Sequence, residues 1–92
     1  MKLQTLKSLV KKGESEILEF KETTAKISEA MKTVCAFLNS KSGGTVLIGV
    51  RDNGEIIGQM VSDKTRQEIA KECNKIEPHA VFDISYEQFK ES

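Results

Sequence analysis

The sequence predicts one α/β (α+β) domain, a mixed β-sheet with packed helices in the order α-β-α-β-β-α-β. Three observations carry that prediction. Apolar residues recur at helical spacing in three separate stretches, short alternating or wholly apolar runs lie between them, and Asn53-Gly54 joins two such runs. At 92 residues the chain has room for one modest core, so residues 1–92 read as a single domain.

The first stretch, LQTLKSLVKKG, places Leu3, Leu6, Leu9 and Val10 on one helical face. Lysines gather in its last turn, where the helix dipole favours cations, and Gly13 is a natural stop. The run EILEFK then alternates. Leu18 and Phe20 share one face of a strand, while Ile17, Glu19 and Lys21 share the other. In ISEAMKTVCAFLNS a wide stripe of Ile27, Ala30, Met31, Val34, Cys35 and Leu38 predicts a helix lying on a sheet, with Ser28 as its N-cap. Gly43-Gly44 relaxes the turn into a strand, Val46 to Val50, that is apolar on both faces. Gly49 within it leaves room for a close neighbour. Asn53-Gly54 predicts a type I′ hairpin turn into the next strand. A further helix follows, with Thr65 and Glu68 as a capping box and Ile69, Ala70, Cys73 and Ile76 toward the core. Pro78 ends it, and AVFDISY reads as a final strand.

Composition excludes several function classes. Fourteen basic residues balance fourteen acidic ones, so the chain as a whole exerts no strong field on nucleic acid or membrane. The balance is locally uneven: residues 1–12 carry Lys2, Lys7, Lys11 and Lys12 without an acid. Cys35 and Cys73 lack a CxxC or a neighbouring histidine and read as reduced core cysteines, which suits a cytoplasmic protein. No apolar run is long enough to span a bilayer. There is no G-x-x-x-x-G-K-[ST] and no G-x-G-x-x-G, and the one histidine, His79, has no triad partners.

Two constellations remain. Glu19 and Lys21 share a strand face, Glu14 precedes that strand, and Asp52 follows the central strand in a turn. If the strands are neighbours, Glu14, Glu19 and Asp52 would form a hard oxygen site for Mg²⁺ or Mn²⁺, with Lys21 stabilising developing charge on a phosphodiester. The plainer reading of Glu19 and Lys21 is a surface ion pair of little consequence. The second constellation is basic: Lys7, Lys11 and Lys12 on the first helix, with Lys32, Lys41 and Arg51 around the second helix and central strand. These would contact nucleic-acid backbone in a salt-dependent way, and no aromatic residues interleave with them to stack on bases. A plainer reading of the helix-1 lysines is helix termination and solubility.

The segments GESEILEFKETT, CAFLNSKSGGTVLIGV and DNGEIIG, in that order, resemble the Alba-like domain of the Schlafen family, across about Leu3 to Tyr86. The same domain stands at the N-terminus of many bacterial transcriptional regulators and divergent AAA proteins. The resemblance implies a mixed α/β domain that binds DNA or structured RNA. It also implies, as an alternative, a metal-dependent endoribonuclease whose acids correspond to Glu14, Glu19 and Asp52 and whose lysine corresponds to Lys21. An oligomerisation or protein-interaction domain is a further reading. Animal Schlafens close two such lobes with a zinc finger, whereas this chain holds one lobe and no zinc ligand set. ATP binding, which the AAA label implies, finds no phosphate loop here. The family domain continues with a further strand, so the resemblance implies a piece shortened at its C-terminus. Its open sheet edge would invite a homodimer.

Overall fold

The computed structural model describes residues 2–76 and 83–87. Helix α1, Leu3–Lys12, leads into strand β1, Leu18–Lys21. A short 3₁₀ turn, Thr24–Lys26, runs directly into helix α2, Ile27–Leu38; strand β2, Thr45–Ile48, and helix α3, Asp63–Cys73, follow. The fold is mixed α/β, as the sequence predicts.

Strands β1 and β2 are parallel, with Leu18 opposite Thr45, Glu19 opposite Val46, Phe20 opposite Leu47 and Lys21 opposite Ile48. Parallel neighbours need a crossover, and α2 supplies it by packing against β2. The alternation in EILEFK sets which face is buried. Leu18 and Phe20 are buried, and Phe20, at 2 % exposure, anchors a cluster with Val10, Leu47 and Val50. Leu6 and Leu9 of α1 pack on that cluster with Ile56, so the apolar stripe of α1 covers the inner face of the strand pair. Elsewhere α2 packs on α3, where Ala30 and Ile69 are buried and the Cys73 thiol lies 3.9 Å from the Met31 sulfur. Ala70 is exposed rather than facing the core, and both cysteines are free and half-buried rather than buried.

The two glycine-rich approaches behave as expected. A Cβ at Gly44 would meet the Phe37 ring at 2.5 Å, so α2 settles an aromatic side chain directly on the turn into β2. Gly49, at φ 93°, has the backbone of Gly58 beside it, and a Cβ there would lie 2.9 Å from the Gly58 carbonyl carbon.

The predicted hairpin takes a different form. Gly54 N–H donates to Arg51 C=O at 2.8 Å, and Arg51 N–H donates to Glu55 C=O at 2.9 Å. The loop is therefore the three residues Asp52-Asn53-Gly54, a type I-like turn closed by Gly54 at φ 91°. A type I′ turn would need positive φ at Asn53, and no described residue other than glycine has one. Asn53 Oδ1 instead accepts the Glu55 N–H at 2.9 Å. The second arm forms one antiparallel bridge, Val50 to Ile56, and no strand. The ladder is interrupted by a bulge at Ile57-Gly58 opposite Gly49, whose C=O takes both of their N–H groups at 2.8 and 2.9 Å.

Three other expectations are corrected or fall outside. Thr23 caps the turn before α2, accepting the Ala25 N–H at 3.1 Å, so Ser28 lies inside the helix. The capping box of α3 is Ser62 with Thr65 rather than Thr65 with Glu68, because the helix starts three residues earlier than the acid suggests. Of the expected last strand, residues 83–86 carry no strand and the remainder lies outside the described residues, as do Pro78 and His79. The full α-β-α-β-β-α-β order is thus reduced, among the described residues, to two strands and three α-helices. No helix among those residues is long and apolar enough to cross a membrane.

Candidate functional site

Helix α1 presents the basic constellation. Its sequence places Leu6, Leu9 and Val10 inward, which forces Lys7, Lys11 and Lys12 outward, and all three are exposed. Lys11 and Lys12 fill the last turn, and no acid lies in the helix. No ion pair among the described residues involves these lysines. Lys7 and Lys11 are neighbours one turn apart, as four-residue spacing dictates. Lys32 and Lys41 are exposed on α2 and on the loop after it. Arg51 is exposed too, but its guanidinium holds Glu55 at 3.1 Å. The structure therefore groups Lys7, Lys11 and Lys12 on one helix and leaves Lys32, Lys41 and Arg51 on separate elements.

The acidic constellation begins where α1 ends. Gly13 N–H returns to Val10 C=O at 3.1 Å and turns the chain toward β1. A Cβ on Gly54 would lie 3.4 Å from the Val10 carbonyl oxygen. The Asp52 turn is thus seated against the basic end of α1, a few residues from Glu14. On β1, Lys21 Nζ stands 3.8 Å from Glu19 Oε1, with both side chains about one third exposed. At that exposure the pair contributes less than about 1 kcal/mol.

Glu14 is spoken for. Its Oε1 accepts the backbone N–H of Phe20 at 2.9 Å. The ladder to β2 explains why this donor is free: Thr45 N–H reaches Ile17 C=O and Gly49 N–H reaches Lys21 C=O, so odd-numbered residues of β1 face β2 and Phe20 N–H faces the opposite edge. Sequence reasoning did not find this contact, because it depends on which edge of β1 pairs with β2. Nor did it find Gln59, whose Oε1 takes the Thr24 N–H at 3.0 Å across thirty-five positions and pins the exit of β1 to the loop after Gly58. Spacing carries no signal for such a pair.

A divalent ion would need carboxylates converging on one point at about 2–2.6 Å. Glu14 spends one oxygen on a backbone amide, and Glu19 stands beside Lys21. Among the described residues no three of His, Cys, Asp and Glu are grouped to hold a metal ion. Glu14, Glu19 and Asp52 form no such group, and no reaction step is derived through Mg²⁺ or Mn²⁺.

Among the described residues, only the Cys73 thiol is displaced from its ordinary range. Partial burial raises its thiol above the ordinary 9.0, and the neighbouring Glu72 charge adds to this. A raised thiol is a poor nucleophile at neutral pH, so Cys73 belongs to packing.

Comparison with known proteins finds no match among curated proteins and none among solved structures. The family described as Schlafen, AlbA_2 matches residues 14–92. The match takes in Glu14, Glu19, Lys21 and the Asp52 turn, and leaves α1 with its lysines outside. On this match over most of its length, the chain belongs to the Schlafen, AlbA_2 family.

Proposed function

We propose that this domain binds the phosphate backbone of nucleic acid, DNA or structured RNA, as part of a regulator. The exposed, acid-free lysine face of α1 is the observation that supports this most directly. Family membership agrees with a nucleic-acid-related role. Three ammonium groups on about one and a half turns suit successive phosphates and carry no base specificity of their own. Glu19 on β1 and the turn bearing Asp52 would repel phosphate, which directs the backbone along α1 rather than across the strands.

The test pairs two nucleic acids with two variants. Wild type should retain hairpin RNA or duplex DNA at low salt, and Lys7→Ala/Lys11→Ala/Lys12→Ala should lose most of that retention while keeping its circular dichroism. Equal retention by both would overturn the reading. Adding Mn²⁺ to the hairpin RNA tests the endoribonuclease alternative: cleavage by wild type, abolished in Glu19→Gln, would replace binding by catalysis as the principal activity. If neither retention nor cleavage occurs, the protein-interaction reading takes the place of both.

A further inference from the structure

We propose that Glu14 is a sheet-edge seal: its carboxylate stands where a neighbouring strand would be, and it keeps a second copy of this chain from adding to β1. The free edge of a strand offers a row of unpaired N–H and C=O groups that will pair with any extended chain. Here the segment after α1 folds back along that edge. Ser15 N–H donates to Leu18 C=O at 2.9 Å, and Leu18 N–H donates to Ser15 C=O at 3.4 Å, an isolated antiparallel bridge. The Ser15 hydroxyl accepts the Ile17 N–H at 3.2 Å and fixes the tight return. Backbone pairing ends there, because the chain turns away into α1. Phe20 N–H, the next outward donor two residues on, is taken by the Glu14 side chain at 2.9 Å. Backbone and side chain together thus occupy consecutive outward sites of a strand only four residues long.

The seal uses the acid as an acceptor and does not need its charge. Glutamine keeps an oxygen at the same reach, and alanine has none. Aspartate is one methylene shorter and cannot span the same gap without moving the backbone. This assigns Glu14 a role that is independent of nucleic-acid binding, and its test uses no nucleic acid.

The experiment is amide hydrogen exchange on the whole chain with sedimentation equilibrium on the same samples. In Glu14→Ala the Phe20 amide should exchange about tenfold faster relative to the Leu47 amide, which is paired inside the ladder; that is the fold-change expected from losing one hydrogen bond. Glu14→Gln should keep the wild-type ratio. Glu14→Ala should also show self-association that rises with concentration beyond that of wild type and Glu14→Gln. Exchange rising equally at Phe20 and Leu47 would mean general destabilisation and would overturn the seal. So would equal association of all three proteins. If Glu14→Ala does not fold, Glu14→Asp serves in its place, with the same ratio as readout.

Discussion

The Cys73 thiol shows how one side chain reports its surroundings. It lies in the α2–α3 contact, its sulfur 3.9 Å from that of Met31, partly withdrawn from water and beside Glu72. Both burial and the adjacent charge disfavour the thiolate, so its pKa in the folded chain lies above the ordinary 9.0. The group is neutral below its pKa and anionic above it. A folded value higher than the unfolded one therefore gives stability that is complete below 9.0 and is lost as pH climbs through the folded value. Cys73→Ser cannot titrate in this range. Urea midpoints measured from neutral to strongly alkaline pH should show wild type losing stability above the ordinary thiol range that the variant retains. Parallel curves for the two proteins would remove Cys73 from the alkaline limb.

At the scale of elements, capping and bulges decide what the alternation of residues leaves open. Ser62 accepts the Thr65 N–H at 3.2 Å, while the Thr65 hydroxyl accepts the Ser62 N–H at 3.2 Å, closing the start of α3. Removing that acceptor in Ser62→Ala should cost about 1 kcal/mol in chemical denaturation. Thr65→Ser keeps a hydroxyl and should cost only a fraction of that. A Ser62→Ala midpoint equal to wild type would show that α3 is held by packing alone. The same scale explains what the sequence made legible. Leu18 and Phe20 were placed inward by period two, and Leu6, Leu9 and Val10 by helical period, because each depends on a local repeat. The final form of the 52–54 turn was not, since Asn53-Gly54 serves two loop lengths and only the Arg51–Glu55 backbone pairing shows which one forms. The Glu14 and Gln59 contacts depend on where backbone donors are left unpaired, which no residue spacing encodes.

Across the whole molecule, fourteen positive and fourteen negative side chains cancel, so any attraction to phosphate has to be local. The screening length at physiological salt is about 8 Å, which confines the field of α1 to its own surroundings. Within that range Lys7, Lys11 and Lys12 face solvent, with the Asp52 turn set against the helix end. Binding through these lysines releases counterions in proportion to the phosphates neutralised, so the logarithm of affinity should fall linearly with the logarithm of salt. Each lysine that contacts a duplex phosphate contributes about 0.9 to that slope. Lys7→Ala should therefore lower its magnitude by about 1, and Lys7→Ala/Lys11→Ala by about 2, across unrelated sequences alike. Lys71 is exposed on a different helix, α3, and Lys71→Ala should leave the slope unchanged. Fluorescence anisotropy with a labelled duplex over a salt series measures all four proteins. A slope unaffected in the double variant would take the phosphate path off α1. A slope reduced equally by Lys71→Ala would show diffuse attraction to the whole surface, which a chain of zero net charge should not exert.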